Sequence, residues 1–585
     1  MKVKSYLKKS IIPIFFMLLS IVYVLLLWHK GIILSGDDRI FHIERFEEAY
    51  QTLKSGHFLS LISTYSFSKV GQAINTYYPW GNLIPYAILR YLIKTPIYTY
   101  YSYIALEQLI GLTLAYLLGK ELWSKRSTAA FFAVTFRFST YVIFNDFARA
   151  DFGESWGLVF VPLTILGLVK ILKTEKILGT IFLAIGLSLT LYNHILTTIF
   201  SILVIATIYI IALINKRTSI NESLKYFILS AIIFIGTTLA VTIPILVGML
   251  NTKISKPATD IFKTKQISFT DLVVASVNNT VEHGNPTIGI ILFSAFLFGF
   301  LALKKVNRWE QGAYLLGLIF VVLSTTLFPW SLFAQTPVAN IQFAWRLVPF
   351  ASIFLAIYLA AIFNLKVKNK RIFLGITTLI CVIFAYGGIQ NYSLEQDGIS
   401  NSEQSLEKKL QNPYGYSLTK YSYEKSLSLN QTNAYNARYG MDYLPQNAVG
   451  ISDKMYDHII QVNGKEYTMN SASIIPGYNS MKFVIPAKWL NEKENTVILP
   501  FVVYNKKNYI VYGNGKNMNF AVTKHSQPTI TIKRANTVNI TIKYQTPKIF
   551  LILRYVSLAF LLISIISIPI IYLKTKSVNL KDIAK

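Results

Sequence analysis

Cysteine is all but missing: Cys381 is the single thiol in 585 residues, which excludes an intrachain disulfide and any metal site built from several cysteines. Acidic side chains are scarce as well, 28 Asp and Glu against 57 Lys and Arg, so each carboxylate outside a basic cluster stands out. The sequence has no Walker motif, no dinucleotide glycine fingerprint, no HExxH and no zinc-spaced ligand set. That leaves the chain without an energy source such as ATP. No small-x-small cleavage site follows the basic stretch 1–9 and the apolar run 11–28. The opening therefore reads as a retained signal-anchor with its N-terminus in the cytoplasm, rather than a cleaved signal peptide.

What the sequence has is apolar length. Hydrophobic residues make up 53% and aromatics 14%, gathered in runs long enough to cross a hydrocarbon core about 30 Å thick. The expected fold is an α-helical polytopic membrane protein of about twelve spans. Its first spans lie near 11–28, 97–119, 128–144 and 156–170, a fifth rises to 192–194, others follow near 195–214 and 226–250, and its last lies near 549–573. The formal charge of +29 does not point to nucleic acid. Its Lys and Arg cluster between apolar runs (Lys120, Lys125 and Arg126; Lys170, Lys173 and Lys176; Lys366, Lys368, Lys370 and Arg371), as the positive-inside rule and contact with membrane lipid require.

With these clusters inside, the carboxylate- and histidine-bearing loops fall outside. Loop 30–80 carries a predicted surface helix over 41–53, and 83–93 is expected to be re-entrant or interfacial. Loop 251–286 carries Asp260, Asp271, Glu282 and His283. Residues 391–547 are polar, with strand-like alternation at 458–462, 496–504, 509–512 and 529–533 and hairpin-type Asn-Gly at 463–464 and 514–515. These predict an extracytoplasmic, mainly β domain. The domains expected are 1–390, transmembrane; 391–547, β; and 548–585, a last helix with a basic cytoplasmic tail.

The most polar stretch beside a span is Gly36-Asp37-Asp38-Arg39-Ile40-Phe41-His42-Ile43-Glu44-Arg45. Asp37 and Asp38 read either as a solvated loop start, with Asp38 capping the next helix, or as a base whose pKa its neighbour's charge raises. Arg149, Asp151 and Glu154 read as a locally paired loop or as a second half of a site, since Asp151 and Glu154 share a helix face. His194 closes a span. Gln342-Phe343-Ala344-Trp345-Arg346 suits a lipid-linked phosphate, and equally an aromatic belt with a snorkelling Arg. Arg90, Glu107 and Arg137 fall inside apolar stretches, as ion pairs or snorkelling charges.

Gly36-Asp37-Asp38-xx-Phe41-His42, Arg149-x-Asp151-xx-Glu154, Gln342-Phe343-x-Trp345-Arg346 and Tyr443-Leu444-Pro445 together resemble a bacterial membrane family. It is labelled "6-pyruvoyl-tetrahydropterin synthase-related" and is related to the YfhO-like proteins of Gram-positive bacteria. An acidic loop after the first span likewise resembles the GT-C glycosyltransferases. The pterin label finds no support, because that enzyme's zinc histidines are absent. The resemblance implies a base at Asp37 or Asp38, with Asp151 and Glu154 lining the acceptor or metal side and Arg346 on the leaving phosphate. His42, Arg149, His194, Gln342 and Trp345 would help bind substrate. A divalent cation, Mg2+ or Mn2+, would rest on Asp38, Asp151 and Glu154. The implied partners are a polyprenyl-phosphate sugar and a surface polymer such as lipoteichoic acid, or a glycolipid.

The expected activity is thus an inverting glycosyl transfer at the external face. Two other readings stand beside it. One is a transporter or flippase of lipid-linked saccharide, which Glu107 and Arg137 keep open. The other is a non-enzymatic wall-assembly protein acting through 391–547.

Overall fold

The computed structural model describes residues 2–173, 175–255, 262, 265–282, 284–400, 418–419, 441–534 and 537–583. Asp260 and His283 lie outside them. The apolar runs fold as helices because a backbone amide in hydrocarbon has no water to bond and must pair within its own segment. In chain order the first helices are α1 (Lys2–Lys30), α2 (Arg39–Lys54), α3 (Ile74–Tyr77), α4 (Leu83–Ile93), α5 (Pro96–Trp123), α6 (Arg126–Arg137), α7 (Thr140–Ile143), α8 (Phe152–Leu172), α9 (Lys176–Asn193), α10 (Ile195–Ile214) and α11 (Ile220–Asn251).

Nine helices among the described residues are long and apolar enough to cross a membrane, and the pair Arg126–Arg137 and Thr140–Arg149, bent by 47°, makes ten if it is counted as one span. The expected count was about twelve. The other two expected spans are short: Gly289–Phe298 passes into a 3-10 turn ending at Lys305, and Arg308–Leu323 has 16 residues. Burial ranks the spans. Phe152–Leu172 and Ala344–Lys366 are 78% and 83% buried, whereas Lys548–Ile571 is 17% buried and so lies on the outside of the bundle. The two central helices carry the polar residues that lipid would not tolerate. Glycines let α8 and α9 touch: a Cβ on Gly167 would come within 2.2 Å of the Leu183 backbone.

α2 forms where the spacing predicted a helix, but it does not lie on a surface. Every residue from Arg39 to Glu48 is buried. Its carboxylates explain this. Glu48 accepts hydrogen bonds from the Thr64, Tyr65 and Ser66 amides, and Glu44 from the Phe67 amide, so α2 is wrapped by the rest of its own loop. The loop tightens further through Phe67, Ser68 and Lys69, which hold φ of 50°, 53° and 56° in succession.

Above the helices, two five-stranded antiparallel sheets span Ile459 to Tyr544. Strand Ser480–Pro486 alternates strictly, with Met481, Phe483 and Ile485 inward. Both Asn-Gly pairs make the predicted turns, Asn463 and Gly464 at φ 51° and 80° and Asn514 and Gly515 at 46° and 81°. The helix that was to end near 390 runs on as Lys370–Ser400. A distant piece of chain returns to the first loop, where Leu418 and Thr419 pair with Ile33 and Ile32.

Of the intramembrane charges, Arg137 and Glu107 pair at 3.1 Å, both with side chains at most 1% exposed. Arg90 stacks over Tyr50, 4.4 Å from the ring centre. Arg137→Met strands Glu107 and is expected to cost about 3–5 kcal/mol. The double variant Glu107→Gln/Arg137→Met recovers most of that loss. Thermal unfolding of the detergent-purified protein checks the pair, and equal melting temperatures for the two variants would refute the coupling.

Candidate active site

Two loops meet at the mouth of the bundle. Span three does not end as a regular helix: Phe144–Arg149 widens into a π-helical turn, and Ala150 follows at φ 56°. Such widened turns throw a side chain out of register, and here the result is that Arg149 faces the first loop. The two backbones are joined directly, the Asp38 amide donating to the Arg149 carbonyl at 2.9 Å. Gly36 sits so close that a Cβ would lie 3.0 Å from the Ala148 carbonyl. The Tyr392 hydroxyl donates to the Ser35 carbonyl and holds the loop from a third element.

Arg149 is the hub. Its Nε lies 3.4 Å from Asp38, one terminal nitrogen 2.9 Å from Asp151, and the other 2.5 Å from Glu154. Arg346 reaches the same Glu154 oxygen at 3.7 Å through its Nε, which has no hydrogen-bond partner. Arg346 is braced by donating to the Ile341 carbonyl and the Gln342 side chain. Trp345 is no membrane belt residue, being 4% exposed with its ring 5.0 Å beneath the Arg149 guanidinium.

Asp151 caps α8 by accepting from the Glu154 amide, and it also accepts from His42 Nε2 at 3.2 Å. Burial works against charge on Asp151, yet Arg149 and the His42 hydrogen bond outweigh it and hold this carboxyl well below the usual range. Burial lowers His42, whose Nδ1 has no partner, so the ring is neutral and carries its proton on Nε2. His194 caps α10, its Nδ1 accepting from the Thr197 amide, and burial brings its pKa down to about 4.

Asp38 differs from the rest. It precedes α2, but its side chain makes no capping bond there. It turns to Arg149 instead, with 39% of its side chain open to solvent where Arg149, Asp151 and Glu154 are no more than 4% exposed. Protein still crowds the carboxyl. Burial is the largest influence on its pKa and lifts it to about 7; Arg149 pulls the other way, while Asp151 and Asp37 add to the rise. Three carboxylates face two guanidiniums, so the cluster moves between one net negative charge and neutrality as Asp38 takes up a proton.

Asp151, Glu154 and His194 bring one ligand atom each within 4.8 Å of one another, and these are the residues that could hold a cation. Asp38, expected in that set with Asp151 and Glu154, is not part of this group, and His194 takes its place. Two contributors were not singled out in the sequence. The Tyr141 hydroxyl donates to Glu154 at 2.5 Å, and Asn145 accepts from Arg149 at 3.2 Å. A signal existed: Arg137, Tyr141, Asn145 and Arg149 recur every four residues.

The fold and cluster define a polytopic helical membrane protein with a buried carboxylate–guanidinium site under a β region. The family of bacterial membrane protein YfhO matches residues 10–410, and this chain belongs to it. No curated protein matches the sequence. Among solved structures, the arabinofuranosyltransferase AftD from Mycobacteria is similar at 16% identity and a TM-score of 0.42, over 66% of this chain and 26% of that one. A mutant of the same protein aligns at 15% identity with a TM-score of 0.39, over 65% and 28%. The matched part is thus about a quarter of that protein's length.

A pH titration followed by difference infrared spectroscopy is expected to show two carboxyls, Asp38 and Glu48, ionising near pH 7. The Asp38 part of the band disappears in Asp38→Asn, and the Glu48 part remains. In Arg149→Gln the Asp38 part moves to higher pH, because the guanidinium that lowers it is gone. A titration confined below pH 5 would contradict the assignment.

Proposed function

We propose that the chain is a GT-C-type glycosyltransferase acting at the external membrane face. It moves a sugar from a polyprenyl-phosphate donor to a hydroxyl of a surface polymer or glycolipid. The observation that carries this reading is Asp38: the one carboxylate of the Arg149 cluster that reaches solvent, with a pKa of about 7. A base near neutrality is best matched to taking a hydroxyl proton. The basic clusters between spans support placing both termini in the cytoplasm and the site and β region outside.

In the proposed step the acceptor O–H bond breaks and its proton passes to Asp38. The oxygen forms a bond to the anomeric carbon from the face opposite the phosphate. The carbon–oxygen bond to phosphate breaks, and the polyprenyl phosphate departs with the electron pair, so the anomeric centre inverts. In this scheme the Arg346 guanidinium takes the charge that develops on the departing phosphate. Asp37 keeps the base's pKa high by proximity. Asp151 fixes His42 and Arg149, and where no cation is bound the His194 Nε2–H is the ring donor left for a sugar hydroxyl, since His194 Nδ1 accepts from Thr197. Mg2+ or Mn2+, bound at Asp151, Glu154 and His194, would supply further positive charge for the phosphate. Glu107 and Arg137, the residues that keep the flippase reading open, pair with each other.

Asp38→Asn is expected to lower transfer by about 10²–10⁴-fold. In cells lacking the native gene, wild type restores one sugar on the purified surface polymers and Asp38→Asn, at equal membrane abundance, does not. Full restoration by the mutant would end the proposal. Wild-type transfer rises with pH through about 7, as Asp38 loses its proton. In washed membranes, EDTA is expected to reduce transfer and Mn2+ to return it; transfer unchanged by EDTA would remove the cation from this scheme.

A further inference from the structure

Tyr443-Leu444-Pro445 leads into the β region, and no step of the proposed transfer uses it. The backbone here is pinned at three points. The Tyr504 hydroxyl donates to the Tyr443 carbonyl at 2.7 Å, the Ser255 amide to the Leu444 carbonyl at 2.7 Å, and the Gln446 amide to the Lys253 carbonyl at 2.9 Å. Leu444 is fully buried in a small core with Val70, Met455 and Val502. The segment therefore holds its shape without the Tyr443 side chain, whose ring packs on α2 instead.

Counted from Asp38, the residues Phe41, His42 and Arg45 follow the i+3, i+4, i+7 rhythm of one helix face, so a ring lying on Phe41 adjoins the base. The Tyr443 ring lies 5.9 Å from that of Phe41, with 23° between their planes. Tyr78 stands 5.5 Å from Phe41 and 6.2 Å from Tyr443. The three centres make a nearly equilateral triangle, so Tyr78 bridges the other two rings. The side of Tyr443 turned away from both is covered by neither. Charge agrees with position. Burial pushes the Tyr443 hydroxyl well above its usual range; Asp442 adds to the rise, Arg45 opposes it, and Asp38 and Asp151 add again. The hydroxyl thus keeps its proton within electrostatic reach of both site carboxylates. Protein crowds Tyr443 as it crowds Asp38, yet both side chains remain partly exposed.

A flat ring with a neutral hydroxyl beside a general base suits a sugar. The face packs on pyranose C–H groups, and the hydroxyl donates to or accepts from a sugar hydroxyl. A phosphate gains no charge from it, and the charges acting most strongly on Tyr443 do not include Arg346. We infer that Tyr443 is a substrate-binding residue that stacks on a neutral sugar ring of the acceptor and presents its hydroxyl to Asp38. This rests on the transferase reading above, and it gives the β region a part in choosing the acceptor.

Saturation-transfer NMR on the full-length protein in nanodiscs tests this, with the methyl glycosides of glucose, galactose and N-acetylglucosamine as probes. At least one is expected to take up saturation at its ring C–H protons from wild type. Tyr443→Leu, which keeps an apolar contact with Phe41, lowers that signal about threefold to tenfold, as loss of one aromatic contact predicts. Tyr443→Phe keeps the ring and most of the signal. Asp38→Asn also keeps it, so binding is read apart from catalysis: if Asp38→Asn leaves transfer intact, the transferase scheme fails while the binding result stands. In the transfer assay Tyr443→Leu raises the acceptor KM by the same factor and leaves kcat and the donor KM unchanged. No signal from any glycoside in wild type, a signal unchanged in Tyr443→Leu, or a rise in donor KM in place of acceptor KM overturns the inference.

Discussion

One guanidinium governs this structure. Arg149 is almost completely shielded from water, and its charge is tolerated there because three carboxylates surround it. Losing one partner of such a buried set leaves an uncompensated ion, at a cost of about 3–5 kcal/mol. The local geometry is therefore drawn toward Arg149: the π-helical turn that presents it, the left-handed Ala150 after it, and the backbone bond from Asp38. Trp345 lies beneath it where a polar or aliphatic side chain would give a looser floor. Because Asp151 and Glu154 are already engaged, Asp38 is the member left with room to change its protonation.

The β region is tied to that cluster by short routes. Tyr443 stacks on Phe41, the neighbour of His42, at 5.9 Å, and its carbonyl accepts from Tyr504. His458 bonds the Ser68 carbonyl within the left-handed turn, and Val502 donates to Val70. Non-glycine residues in that conformation cost about 1 kcal/mol or more each. The buried Glu44 and Glu48 carboxylates hold the turn from below by accepting its amides. Strain here is thus balanced between α2 and the sheets, which fixes the helix bearing His42.

The membrane class was legible in the sequence because hydrocarbon permits so few backbone solutions; among the described residues, nine membrane-length helices and one bent pair followed from the apolar runs. The two shorter helices, Gly289–Phe298 and Arg308–Leu323, have the right composition but too few helical residues, and composition does not report where a helix stops. Asp38, Arg149, Asp151, Glu154 and Arg346 were all visible as polar exceptions, yet their convergence was not, since it depends on a widened helical turn with no sequence signature. The fate of α2 was misread for a related reason. Its apolar stripe fitted a surface helix, and nothing local revealed that Glu44 and Glu48 would be covered by residues twenty positions on. The Asn-Gly hairpins were readable because that pair alone accepts two successive left-handed residues easily.

The pairing of Ile32 and Ile33 with Leu418 and Thr419 sets an order of events during synthesis. The acidic loop emerges beside the first span, but its partner strand is made roughly 385 residues later, on the order of tens of seconds at ribosomal speed. Tyr392, which steadies Ser35, also comes late. A nascent chain therefore inserts most of its spans while this loop is still unlatched. A product truncated before residue 392 would carry every acidic partner of Arg149 without the Tyr392 bond that steadies their loop.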